Sequence, residues 1–391
     1  MNTGALKEER IKNLIDATSF KEPQKIPVGA EILSWPFSFA GVRYSDVMDD
    51  AVKTAQAYVK FLDYVELDFL WGGMVSTPIK ALKAMGCNCF ELGNDGTTII
   101  HRQPDVEFMK TEEYPELILD MYAFKQKLMR RRCEALQLPR DQAYACVLMA
   151  LREIRPWAEA NAMIGKYIFE EKGIAPLTGG PITFLGPLTT LFDKFRGIRD
   201  TLTDLRRRPE VVRKACDVIL NDRKKILSAF DPEDYSSPHP FASTVYHVEC
   251  FLSPAQFDEY YFKHFKEVCL PYMEAGVKFF LKGEGSFLNT LDRFRQLPKG
   301  SVIFMLDQDD PFEVYKAIGD WQTIATGITA DLLKLGTKDE CVDFVKRSFD
   351  TFAPGGGFIF MQNKPLLCAN DTKEENLLAV YETANALSLK K

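Results

Sequence analysis

No stretch of the 391-residue chain reaches ~18 consecutive apolar side chains, which leaves no candidate for a membrane-spanning helix. The opening residues, MNTGALKEERIKNLID, are charged and amphipathic and hold no apolar run suited to export, so a cytoplasmic location is expected. Excess positive charge is missing too. With 49 Lys and Arg against 55 Asp and Glu the net charge is −6, whereas a nucleic-acid-binding surface needs a basic face. Small molecules and proteins are the partners this balance favours. A secreted disulfide framework is also lacking, because the nine cysteines are odd in number and scattered through a long chain. Cys87-x-Cys89 has no second pair and follows a helix end, which reads as structural. Gly355-Gly356-Gly357 is followed by a strand and by no Lys-Ser pair, so it reads as a turn, and no nucleotide is expected. Arg130-Arg131-Arg132 and Arg206-Arg207-Arg208 read as solvated helix faces.

What is present is a chain rich enough in apolar residues (46%) to bury a large core. Residues 5–17 read as a helix ahead of a first strand, Ile26 to Leu33, that ends at Ser34-Trp35-Pro36. A second apolar run, Leu67 to Trp71, ends in Gly72-Gly73. Asn94-Asp95-Gly96 predicts a hairpin within a short β excursion between Cys87 and Met109. Residues 112–172 read as a helical insertion broken near Pro139 and Pro156, followed by a strand and glycine turn from Ala175 to Pro181. From Thr244 onward strands and helices alternate regularly. Ser253-Pro254-Ala255-Gln256 and Thr337-Lys338-Asp339-Glu340 open two of the helices as capping boxes. Strands near residues 29, 69, 177, 246, 279, 304, 326 and 359 number eight. That argues for an α/β fold, a single (β/α)8 TIM barrel over residues 1–391 with an N-terminal extension; an open doubly wound sheet is the competitor.

Several segments together carry a resemblance: Gly180-Pro181-Ile182-Thr183 with Gly186-Pro187, FLSPAQFDEYYFKHFKEV, FFLKGEGS, the acidic end of VIFMLDQDDP, and APGGGFIFMQNKPLLCANDTKEENL. In order and spacing the chain resembles the uroporphyrinogen decarboxylase superfamily, which also contains zinc-dependent, corrinoid-linked methyltransferases. The resemblance implies a barrel with its site at the carboxyl ends of the strands. It departs from the true decarboxylases: their arginine-rich segment after the first strand is replaced by ILSWPFSFAGVRY, and Gly73 stands where they hold an aspartate. Buried substrate carboxylates need cationic partners, so haem biosynthesis is rejected. In the methyltransferase branch a His-x-Cys pair and a later cysteine hold zinc. Here the pair reads Lys282-x-Glu284, and Cys368 lies near the later cysteine without falling on it.

The polar strand tips supply the candidate residues. His247, Lys282 and Asp307 are the candidate catalytic residues, and Glu31, Trp35, Gln362 and Asn363 the candidate substrate-binding ones. His247 and Glu249 are expected on one face of a strand running from Thr244 to Glu249, with Cys250 at its tip. Together with Glu284 and Cys368 they form a candidate zinc set; the alternative is a structural histidine hydrogen-bonded to Glu249. Either Asp309 or Asp310 is expected to cap the helix that follows. The expected function is methyl transfer from a small methylated substrate to the corrinoid of a separate partner protein, since no Asp-x-His-x-x-Gly corrinoid motif is present. Two other readings stay open: a decarboxylase or lyase of a small acid, with Lys282 gripping the carboxylate, and a non-catalytic binding protein. The oligomeric state is left open, a homodimer included.

Overall fold

The computed structural model describes residues 3–72, 75–87, 89–101, 108–178, 182–232 and 240–389. It is a mixed α/β protein with parallel sheets. Three strands, β1 (Gly29–Ile32), β2 (Phe69–Gly72) and, after a separate antiparallel hairpin of β3 (Phe90–Leu92) and β4 (Ile99–His101), β5 (Ala175–Pro176), form one sheet in the order β1-β2-β5. Six more form the second: β6 (Thr183–Leu185), β7 (Phe241–Tyr246), β8 (Lys278–Gly283), β9 (Val302–Met305), β10 (Thr323–Ile328) and β11 (Phe358–Gln362), neighbours in sequence order. All pairings within these two sheets are parallel. A parallel bridge between Val28 and Phe360 joins β1's lead-in to β11.

Apolar runs explain the parallel pairing. Phe279 to Leu281, Val302 to Met305 and Phe358 to Met361 are buried on both faces, which suits strands covered by helices on one side and by each other's side chains on the other. Phe69, Leu177, Phe241, Phe280, Ile303, Ala325, Ile359 and Met361 meet in one interior cluster. Leu14 and Ala17 of the N-terminal helix Thr3–Thr18 close its lower end. Lys278, at the start of β8, ties that helix down by donating to Thr18 O at 3.0 Å and Gly300 O at 2.9 Å. Both predicted capping boxes form, at Ser253 with Gln256 and at Thr337 with Glu340. The predicted hairpin forms around Gly96, whose φ is +69°.

Four expectations change. The single strand near residue 177 is two short pieces, β5 pairing with β2 and β6 with β7. Its glycine turn, including Gly180-Pro181, lies outside the described residues, as does Gly73. Pro156 does not break the insertion, for the helix runs unbroken from Arg140 to Lys166. The carbonyl left without its helical partner is that of Arg152, an exposed residue. The helix expected from Phe287 is a 3-10 helix, Leu288–Gln296. The strand expected over Thr244 to Glu249 ends at Tyr246, and Glu249 begins a 3-10 turn to Phe251.

Candidate active site

The tips of β7 and β8 converge on an imidazole. Once β7 ends, His247 leaves the strand with its Nδ1 3.0 Å from Asp193 Oδ1 and its Nε2 facing Glu284 Oε1 at 3.5 Å. Asp193 lies in the wide helical turn Leu191–Arg196 that follows β6, far away in sequence. Burial alone would depress the His247 imidazolium. The Asp193 hydrogen bond and the charges of Asp193, Glu284 and Glu249 outweigh it and raise its pKa above the ordinary value. A half-buried imidazole that holds its proton more firmly than usual, steered by a carboxylate on its other nitrogen, is built to act as a general acid.

The early end of β7 changes the role of Glu249. Instead of sharing a strand face with His247, it folds into the core at 3% exposure, accepting from His247 N at 2.9 Å and from the Thr189 hydroxyl. Burial pushes its carboxyl up to about 7 against those hydrogen bonds. Glu249 thus holds the main chain that carries the imidazole.

Lys282 is engaged. Its Nζ donates to Glu31 Oε1 at 2.7 Å and sits 5.1 Å from the centroid of the Trp71 ring. Glu31, 5% exposed, has its pKa raised by burial despite the opposing pull of Lys282, and its second carboxylate oxygen is buried without a hydrogen-bond partner. The tip loop of β8 is fixed from β9: Gly285 N donates to Asp307 Oδ2 at 2.8 Å, Phe287 N to Asp309 Oδ2 at 2.9 Å, and the Ser286 hydroxyl to Asp309. Asp310 is the residue that caps the following helix. Gly285 adopts φ +84°, and a Cβ there would come within 2.7 Å of Cys250 Cβ, so this turn needs glycine.

Lys282, Gly283, Glu284, Asp307, Asn363, Lys364 and Pro365 surround a cavity of about 220 Å³. That is small beside the ~300–1,000 Å³ of drug-sized pockets and suits a ligand of few heavy atoms. Lys364 Nζ stands 3.2 Å from Asp307 Oδ1 as an ion pair without hydrogen-bond alignment. Both lysines of the wall therefore already face carboxylates. Asn363 bridges strand ends, donating to Asp307 O at 2.7 Å and accepting from Ala330 N at 2.7 Å.

Two expected substrate-binding residues lie elsewhere. Trp35 is 3% exposed and packs on Phe39 and Phe61, ring centroids 5.1 and 6.1 Å away; Trp71 is the tryptophan at the site. Gln362 is fully buried beneath the tips, donating to Glu31 O at 2.6 Å and accepting from Tyr381. The expected zinc set of His247, Glu249, Cys250, Glu284 and Cys368 does not assemble. Among the described residues no three His, Cys, Asp or Glu side chains converge as metal donors. Glu249 is spent on Thr189 and main chain, Cys250 points to His247 O at 3.5 Å with its thiol pushed up to about 11 by burial and Glu249, and Cys368 donates to Asp371 at 3.1 Å. The donors present do not fit the His-x-Cys zinc arrangement.

Asp193, Trp71 and Lys364 are the site residues that sequence reasoning missed. Trp71 closes an apolar run before Gly72-Gly73 and Lys364 follows Gln362-Asn363 at the end of another, a signal that was available; Asp193 sits in a helical-looking segment and gave none.

No protein-family model matches this chain, and no curated protein does. Among solved structures, a B12-independent methionine synthase from Shewanella sp. W3-18-1 in complex with selenomethionine aligns over 93% of this chain and 97% of its own, with 9% identity and a TM-score of 0.38. A methyltransferase from Methanosarcina mazei aligns over 96% of this chain and 98% of its own, with a TM-score of 0.55 and 14% identity. At that identity the likeness to the methyltransferase is one of fold, a TIM-barrel-like α/β architecture.

Proposed function

We propose that this protein transfers a methyl group from a small methylated donor to a corrinoid carried by a separate protein, with the His247 imidazolium protonating the donor's leaving atom. The supporting observation is the imidazole held between Asp193 and Glu284 beside a cavity of about 220 Å³. Closure of the parallel strands into a (β/α)8 barrel is part of the proposal, and the shared fold with a methyltransferase accords with it.

Methyl transfer to a reduced corrinoid breaks the bond between the methyl carbon and an oxygen or nitrogen. The acceptor supplies the electron pair for the new carbon–metal bond, and the leaving atom keeps the old one. That atom is a poor leaving group unless protonated. His247 Nε2 provides the proton, Asp193 stabilises the charged form and fixes the ring, and Glu284 orients the donor at the cavity wall. No step is routed through zinc, because the residues present do not fit it.

The lyase reading needs Lys282 free to bind a carboxylate, but Glu31 already occupies it. The test is to incubate the protein with methoxyarenes, methylamines or methanol and reduced cobalamin while following the absorbance of the methylated product. Donor-dependent methylation that falls about 100-fold or more in His247→Gln is expected. Methylation by none of the donors, or equal rates in the variant, overturns the reading.

A further inference from the structure

Three cysteines meet outside the cavity. The helix Ile79–Ala84 is followed by Met85 and by Gly86 at φ +63°, while the helix Met121–Arg132 ends at Cys133 in extended conformation. The two ends are stitched by an antiparallel bridge between Cys87 and Cys133, with Ala135 N donating to Met85 O at 3.2 Å. Cys89 Sγ lies 2.9 Å from Cys87 Sγ, and the Cys87 thiol also contacts Cys133. Cys87 is 5% exposed, a burial that fits a small apolar filler, whereas Cys89 and Cys133 are half-buried and open to solution reagents.

We propose that these residues form a reversible oxidation site in which a disulfide joins Cys87 to Cys133 and Cys89 reopens it. Residues opposite each other on an antiparallel bridge have Cα atoms roughly 4.5–5.5 Å apart. That falls inside the ~4.4–6.8 Å disulfide range. With hydrogen peroxide as oxidant, the Cys133 thiol becomes a sulfenic acid and one water is released. The Cys87 sulfur then displaces the sulfenic oxygen, which leaves as a second water with the Cys87 proton. Two thiols and one peroxide thus give one disulfide and two waters. Reopening begins when the Cys89 thiolate attacks Cys87 Sγ. The bond shifts to Cys87–Cys89, Cys133 leaves as thiolate, and an external dithiol reduces the tight new ring.

A hairpin links these cysteines to the proposed chemistry. Cys89 leads directly into β3, whose Phe90 stacks on His101 with ring centroids 4.5 Å apart, and His101 is within electrostatic reach of Asp193 and His247. Oxidation therefore fastens the root of the hairpin that carries His101.

The test treats the full-length protein with a small excess of hydrogen peroxide, alkylates it under denaturing conditions and maps the peptides by mass spectrometry. A Cys87–Cys133 linked peptide that dithiothreitol removes is expected. It should be absent in Cys133→Ser and unchanged in Cys146→Ser. In Cys89→Ser the linkage should form, but its removal by dithiothreitol should slow about tenfold, the scale expected when a resolving thiol is lost. Absence of a Cys87–Cys133 peptide in both the wild type and Cys89→Ser overturns the proposal, as does an unchanged rate of re-reduction in Cys89→Ser.

Discussion

At the scale of single residues the site depends on how each charge is matched. His247 carries its proton to higher pH than an ordinary histidine because, against the burial that disfavours the charged form, the Asp193 hydrogen bond and the charges of Asp193, Glu284 and Glu249 together prevail. An acid works only while protonated, so activity is present below the His247 pKa and lost as pH rises through it. Asp193→Asn removes the stabilising charge and should move that alkaline limb to lower pH in a rate-against-pH profile; an unmoved limb would show that another group is the acid. Glu249 gives a separate stability test. Its folded pKa, pushed up to about 7, exceeds the ordinary carboxyl value of 4.5, so the folded state binds the proton more tightly than the unfolded chain. Its contribution is fully present below pH ~4.5 and lost as pH rises to ~7, a change of about 3 kcal/mol at roughly 1.4 kcal/mol per pKa unit. Denaturant melts of Glu249→Gln should show that slope flattened. The Glu31–Lys282 pair, at side-chain exposures of 7% and 18%, behaves as a buried ion pair. Lys282→Met alone should cost about 3–5 kcal/mol by stranding Glu31, and Glu31→Leu added to it should recover much of that loss.

At the scale of elements, the loop after β8 is held in place by its neighbour. Gly285 in its left-handed turn, Asp307 on its amide and Asp309 on the next two residues position Glu284 against His247. Gly285→Ala adds ~1 kcal/mol or more of backbone strain, plus a clash with Cys250. It should lower the rate of the proposed reaction more than it lowers the melting temperature; equal rates in the variant would show that the loop does not place Glu284. Much of this loop was legible from sequence, because FFLKGEGS and VIFMLDQDD both change from apolar to polar within one residue, marking strand tips. The end of β7 was less legible. Alternation alone cannot reveal that the ladder with β8 stops at Tyr246 opposite Gly283, and that stop turns Glu249 inward and dismantles the expected zinc set. Asp193 was hidden for another reason: its pairing with His247 spans 54 residues, and a helix carrying one aspartate shows no local sign of which strand tip it faces.

At the scale of the molecule, seven strands send side chains into one interior cluster, and the N-terminal helix covers its lower end. Alternating strands and helices were enough to read a parallel α/β architecture, and the fold likeness to a methyltransferase agrees with it. Leu14 is fully buried where that helix meets the strands, so Leu14→Ala should cost about 2–5 kcal/mol in a denaturant melt while leaving the distant strand tips intact. A loss below ~1 kcal/mol would mean that the helix is not an integral part of the core. The central claim joins this architecture to proton donation by His247. Its most direct test is the rate of donor-dependent methylation of reduced cobalamin by chelator-treated wild-type protein and by chelator-treated His247→Gln. Retained wild-type transfer with at least a ~100-fold loss in the variant is the predicted result. Loss of wild-type transfer that added zinc restores, or equal rates in the two proteins, would contradict it.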